Sequence, residues 1–252
     1  MKILEVKDIS KNFGGVRALS NLSFSLEEGQ ITGLIGSNGA GKTTIFNVIT
    51  GFLKSDSGQI IYKGEDITGL APIKIVKKGI CRTFQELRLF GKLSVFENIC
   101  LGIPDQSEEK FMTALIKPPK VRKERAAVKE KVEGIIDYVG LTPYTNYLAE
   151  SLAYGEQKLL SLGRFLATGA DTLLLDEPTS GLDGRHIDNI LEVVRKLTTS
   201  GKTICLIEHN MEVVSAVSSY IYVLDQGTKL AEGFSKDVMN DPQVLSIYLG
   251  GE

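Results

Sequence analysis

The stretch Gly36 to Thr44, GSNGAGKTT, constrains this chain more than any other. It follows the apolar run Ile31 to Ile35 and precedes a helical pattern starting near Thr44, so a strand runs into a glycine loop and then a helix. Gly36, Gly41, Lys42 and Thr43 match the phosphate-cradling pattern GxxxxGK[ST]. Without a Cβ in the way, backbone N–H groups of such a loop can curl toward phosphate oxygens, and the helix N-terminus adds positive potential. Lys42 reaches the β- and γ-phosphates of a nucleoside triphosphate, and the Thr43 hydroxyl ligates Mg²⁺. Ser37, Asn38, Gly39, Ala40 and Thr44 complete the same cradle.

With 252 residues and 42% hydrophobic content, the chain can bury the core of a large α/β domain. A net charge of −2 gives no global field that would favour nucleic acid as a partner. Cys81, Cys100 and Cys205 are widely spaced in apolar or mixed surroundings, which suits reduced buried thiols better than a disulfide framework or a zinc site. The start, MKILEVKDIS, lacks the apolar stretch of a signal peptide, and no run of about 18 apolar residues occurs, so the expectation is a chain that neither crosses a membrane nor is exported.

Short alternating runs at Ile3 to Val6, Leu22 to Leu26 and Ile31 to Ile35 read as strands and hairpins, and GQIIY at Gly58 to Tyr62 extends them. An antiparallel sheet beside a nucleotide core is expected. From about Glu86 to Ala167 the pattern turns helical, with helices expected at Leu87 to Leu101, Val132 to Val139 and Gln157 to Ala167. Thr172 to Leu175 and Thr203 to Ile207 are continuously apolar, as in strands buried on both faces, with a helix between them over His186 to Thr199. The expected organisation is therefore one domain over 1–252, with 1–85 and 168–252 forming the core and β subdomain, and 86–167 a helical subdomain. The basic stretch from Lys117 to Lys131 is tempered by Glu124, Glu130 and Glu133 and reads as a solvated helix face, with contact to anionic lipid headgroups or an acidic partner as the alternative.

TLLLDEP, Thr172 to Pro178, is an apolar strand ending in two carboxylates at the edge where open α/β sheets bind ligands. Asp176 is expected to hold Mg²⁺ through its water shell, and Glu177 to polarise a water attacking the γ-phosphate. Gln85, in RTFQE, offers a neutral amide to the metal or its water. His209, just beyond Ile207, can hydrogen-bond the γ-phosphate.

The order of these features, with SLAYGEQ at Ser151 to Gln157 and SGLD at Ser180 to Asp183, resembles the ATP-binding subunits of ABC transporters over essentially the whole chain. The resemblance implies a P-loop NTPase core of RecA-like type with an antiparallel β subdomain and an inserted α-helical subdomain. It also implies an ATPase that works as a dimer, each nucleotide held between the glycine loop of one subunit and the signature of the other. Here the signature departs from the common LSGGQ: Leu152, Ala153, Tyr154, Gly155 and Glu156 stand in its place, and the serine hydroxyl is missing. Backbone N–H groups near Gly155 can still face phosphate. By the same resemblance Asp183 helps organise the opposite site, and Phe13 stacks on adenine.

RTFQELRLFGKLSVFENI, the tyrosine-containing signature and the end DPQVLSIYLG look like the subunits that drive branched-chain amino acid uptake. That implies two permease subunits contacted through the helical subdomain, with Leu87, Leu89, Phe90 and Leu93 as candidate groove residues. It further implies a second ATPase subunit, an extracytoplasmic substrate-binding protein acting indirectly, and a cytoplasmic location on the inner face of the cell membrane. Similar ATPases serve urea or amide import, lipopolysaccharide export, or the soluble machinery of iron-sulfur cluster assembly, and a small-molecule kinase shares only the glycine loop.

Overall fold

The computed structural model describes residues 1–83, 87–104 and 118–249. The chain divides into two compact units, one of residues 1–85, 171–181 and 187–252, the other of residues 86–170 and 182–186.

In the first unit, β1 (Lys2–Phe13), β2 (Val16–Glu27), β4 (Ser57–Tyr62) and β5 (Glu65–Asp66) make an antiparallel sheet in the order β2-β1-β4-β5. Both long strands outrun the alternating patches in the sequence. Register shifts between Val6 and Ile9 and between Ile9 and Lys11 interrupt the period of two, and Asp8 takes a left-handed φ of 50°. The six-stranded sheet runs β10-β9-β3-β8-β7-β6, with β3 (Ile31–Gly36), β6 (Ile80–Arg82), β7 (Thr172–Asp176), β8 (Thr203–Ile207) and β9 (Tyr220–Asp225) parallel and β10 (Thr228–Phe234) antiparallel at the edge. Every residue of β3, β7 and β8 is buried, which is why their sequences are continuously apolar instead of alternating.

Between β3 and β6 come α1 (Lys42–Ile49) and α2 (Pro72–Lys78); α1 drives Ile45, Phe46, Val48 and Ile49 into a core shared with both sheets. The helix α6 (Gly184–Thr199) buries Ile190, Leu191, Val193, Val194 and Leu197, one face at helical spacing. The unit closes with α7 (Met211–Val217), α8 (Ser235–Val238) and α9 (Pro242–Leu249).

The second unit packs α3 (Val95–Cys100), α4 (Pro118–Tyr138) and α5 (Tyr154–Ala167) against one another. The expected helix over Leu87 to Leu101 is corrected: only Val95 onward is helical. Ser94 and Glu97 form a reciprocal capping box that starts the helix there. Ahead of it, the fully buried Asn98 amide donates to the carbonyls of Phe90, Leu93 and Ser94 and accepts from the Phe90 N–H, fastening Phe90 to Leu93 as a non-helical strap. Further along, Val132 to Val139 belongs largely to the long helix α4. Lys129 and Glu133, both more than half exposed, pair at i,i+4 on this helix.

None of the three cysteines forms a disulfide, and burial pushes the Cys205 and Cys100 thiols up, so neither is a ready nucleophile at neutral pH. No helix among the described residues is long and apolar enough to cross a membrane.

Candidate nucleotide and hydrolysis site

The site grows from the carboxyl edge of the six-stranded sheet. β3 ends at Gly36, whose φ of 154° and position against β9 leave no room for a side chain; a Cβ there would lie 2.2 Å from the Leu224 carbonyl oxygen. Gly41, the N-cap of α1, has a φ of 99°, and its Cβ would meet the Ala18 carbonyl oxygen at 2.7 Å. The two glycines thus let the chain turn tightly between strand and helix. Gly39, also at positive φ, has open space around it, and Asn38 is exposed while Ala40 is buried. No side chain caps α1 and no acidic residue lies in its first turn, so its N-terminal amides remain available to an anion.

Lys42 sits in the first turn of α1, 6% exposed, with Nζ donating to the carbonyls of Gly36 and Ser37 at 2.8 Å each. Burial holds its pKa below the usual lysine value, opposed by the negative charges of Glu177 and Asp176. The ammonium is therefore anchored by its own loop and faces an acidic pair. Thr43 is exposed and Thr44 half-buried beside it.

Asp176 ends β7, 5% exposed. Its backbone N–H donates to Thr83 Oγ1, and its carboxylate takes a charged partner that the sequence reading did not single out: Arg82 Nη2 lies 2.5 Å from Asp176 Oδ2. Arg82 also donates to Asn47 Oδ1 at 2.6 Å and stacks over the Phe46 ring at 5.5 Å. Its burial, which a local sequence pattern does not carry, is what demands the partner.

Glu177 follows in a left-handed backbone conformation, φ 49°, with its N–H bound to the Ile207 carbonyl. Its Oε1 lies 2.6 Å from Nε2 of His209, which follows β8. A carboxylate only accepts, so Nε2 carries the proton and His209 aims one carboxylate oxygen. Sequence reasoning placed both residues at this edge but not in contact. It also passed over Glu208, 3% exposed, which accepts from the N–H and hydroxyl of Thr179 at 2.7 Å and pins the loop after Glu177.

Phe13 lies at the end of β1, half exposed, with the Lys11 ammonium 5.8 Å from its ring centroid. Gln85 lies outside the described residues.

In the second unit, Ala153 is the N-cap of α5 without a side-chain hydrogen bond, so the helix amides behind the signature are uncapped. Gly155 is buried and Glu156 lies in the first turn. Asp183 caps α6 through the His186 N–H at 3.1 Å and meets His186 Nδ1 at 2.7 Å. These bonds, the backbone one first, hold its carboxyl below the usual carboxylate range.

A family model described as ABC transporter matches residues 19–180. The chain belongs to the ABC transporter family. It is 38% identical over 249 residues to the high-affinity branched-chain amino acid transport ATP-binding protein BraF of Pseudomonas aeruginosa, covering 98% of each chain. It is 34% identical to the probable branched-chain amino acid transport ATP-binding protein LivG of Archaeoglobus fulgidus, covering 100% of this chain and 97% of that one. Among solved structures, the ADP conformation of an ATP-binding cassette of an ABC transporter superposes with a TM-score of 0.87 at 35% identity, covering both chains fully.

The residues present fit a nucleotide with Mg²⁺. The loop has no space for side chains at Gly36 and Gly41, the α1 amides are uncapped, and a buried cation faces two acids. Among the described residues no cluster of three or more histidine, cysteine or acidic side chains could hold a metal alone. A hydroxyl, a single carboxylate, water and phosphate are what Mg²⁺ usually takes beside a triphosphate.

Proposed function

We propose that this chain is the ATP-hydrolysing subunit that powers a membrane transporter, with branched-chain amino acids as the cargo. The observation that supports the chemistry is the Glu177 carboxylate held by His209 at 2.6 Å, in the same unit as Lys42 and Asp176 at the carboxyl edge of one sheet. The cargo rests on identity of 34 to 38% across nearly the whole chain to relatives named for that transport.

Ser37 to Thr44 bind the phosphates through backbone amides, Lys42 neutralises the β- and γ-oxygens, and Phe13 stacks on the base. Thr43 and Asp176, with Gln85, would hold Mg²⁺, which would supply charge neutralisation there. Glu177, aimed by His209, orients a water and receives its proton, while His209 also faces the γ-phosphate. Ala153, Gly155, Glu156 and Asp183 serve the nucleotide of a second ATPase subunit. The segment 86–167 meets the permease subunits on the cytoplasmic face of the membrane, and an extracytoplasmic binding protein delivers the cargo.

Co-purification from membranes tests this reading, with the chain tagged and the host assayed for uptake of labelled leucine and of urea. Recovery of two permeases with leucine uptake lost on deletion is the expected result. Recovery in the soluble fraction without permeases, or loss of urea uptake alone, would overturn the transport role or the cargo respectively.

A further inference from the structure

The contact between His186 and Gly155 joins two segments of the second unit that are about thirty residues apart in sequence. An ideal Cβ on Gly155 would lie 2.1 Å from Cδ2 of the His186 ring, 2.7 Å from Cγ and 2.9 Å from Nε2. The imidazole therefore lies directly against the space a side chain at 155 would need. Its Nδ1 is 2.7 Å from Asp183 Oδ1, and because a carboxylate only accepts, Nδ1 carries the proton. Its Nε2 points toward Glu156, 3.9 Å from Oε1. The second oxygen, Oε2, is buried and has no hydrogen-bond partner among the described residues. One ring thus touches the N-cap of α6, the backbone of α5 and the acidic side chain of the first turn of α5.

We infer that His186 is a positioning residue that locks the Asp183 loop to the signature turn at Ala153 to Glu156. The inference rests on the proposed reading in which both segments face the nucleotide of a partner subunit. If they do, their relative placement sets whether both reach that nucleotide at once, and a single imidazole fixes it. Gly155 is required here for a reason within the chain itself: any larger residue expels the ring. The uncapped Ala153 increases the dependence, because the first turn of α5 lacks the side-chain bond that would otherwise order it.

Three variants of the full chain test the lock: Gly155→Ala, His186→Ala and the pair together. Thermal unfolding without nucleotide reads the steric contact alone. Gly155→Ala is expected to lower the midpoint by roughly 5 °C, and the pair to recover most of that loss, because removing the ring removes the clash. A pair that loses the sum of the single effects would overturn the lock. Turnover of the complex assembled with its partner ATPase reads the positioning role. His186→Ala is expected to lower kcat about tenfold or more while leaving ATP affinity of the free chain unchanged, and His186→Asn, which keeps a donor for Asp183, to recover part of kcat. An unchanged kcat in His186→Ala would overturn the positioning role. Failure of the underlying reading looks different: the wild-type complex would not turn over ATP, while the thermal rescue by the paired substitution would persist.

Discussion

Replacing Arg82 by methionine removes the guanidinium that pairs with the Asp176 carboxylate. Both side chains are about 95% buried, at 4% and 5% exposure, and their charged atoms are 2.5 Å apart. Methionine keeps the length and the contact with Phe46 but strands a carboxylate that water cannot reach. Breaking one half of a buried pair costs about 3–5 kcal/mol, which corresponds to a fall of roughly 10 °C in the unfolding midpoint for a chain of this size. Asn47 loses its guanidinium donor as well, which adds to the cost. Urea unfolding of Arg82→Met, Asp176→Asn and the double variant gives the coupling directly: the double variant should be less destabilised than the sum of the singles by at least about 2 kcal/mol. Mg²⁺ with ATP should raise the midpoint of Arg82→Met more than that of the wild type, since a cation then returns beside Asp176. A midpoint for Arg82→Met within about 2 °C of wild type, or additive single effects, would refute the claim that the arginine compensates the buried acid.

Gly36→Ala, with no room against Leu224, should cost at least about 3 kcal/mol and abolish nucleotide binding, whereas Gly39→Ala, with open space around it, should lose only about 1–2 kcal/mol of stability from its positive φ; equilibrium unfolding of the two separates crowding from strain. Ala153→Ser supplies the missing N-cap of α5 and, with Glu156 three residues on, a capping box, so stability should rise by about 1 kcal/mol. Turnover in that variant should change by less than about tenfold; a larger gain would show that the missing hydroxyl limits hydrolysis. Asn98→Leu releases the strap at Phe90 to Leu93, costing about 2–4 kcal/mol, with faster amide exchange at Phe90 as its signature. Asp171 bonds Lys63 at 2.6 Å, and that bond, ahead of the Lys202 contact, lowers its pKa. The folded value lies below the unfolded one, so the contribution is present above the ordinary carboxylate pKa and disappears as pH falls through the folded value. Asp171→Asn should therefore cost under about 1 kcal/mol at pH 7, given the half-exposed pair, and progressively less as the pH falls through that folded value.

The strand, glycine loop and helix at Ile31 to Ile49 were legible because each carries its own local signal, a buried apolar run, glycines at demanding positions and a cationic first turn. β7 and β8 were legible for the same reason. Helix periodicity misled at Leu87 to Leu93, where leucines at helical spacing pack as an irregular strap; the SVFE capping box at Ser94 was the signal that marks the true start. β1 was read short because its register shifts break the alternation on which strand recognition depends. Arg82 and His186 escaped for a different reason. Each acts on a residue distant in sequence, 94 positions away for Arg82 and Asp176, and pairing of that kind is a property of the packed sheet and helices, which local pattern does not carry.

The central claim is that Glu177, held by His209, activates water at a nucleotide cradled by Lys42. Single-turnover hydrolysis of ATP with Mg²⁺ by Glu177→Gln, alongside equilibrium ATP binding, tests it most directly. The glutamine keeps the shape and one hydrogen-bond acceptor for His209, so binding should stay within about threefold of wild type while the hydrolysis rate falls by about 10² or more. Wild-type hydrolysis by Glu177→Gln would contradict the assignment.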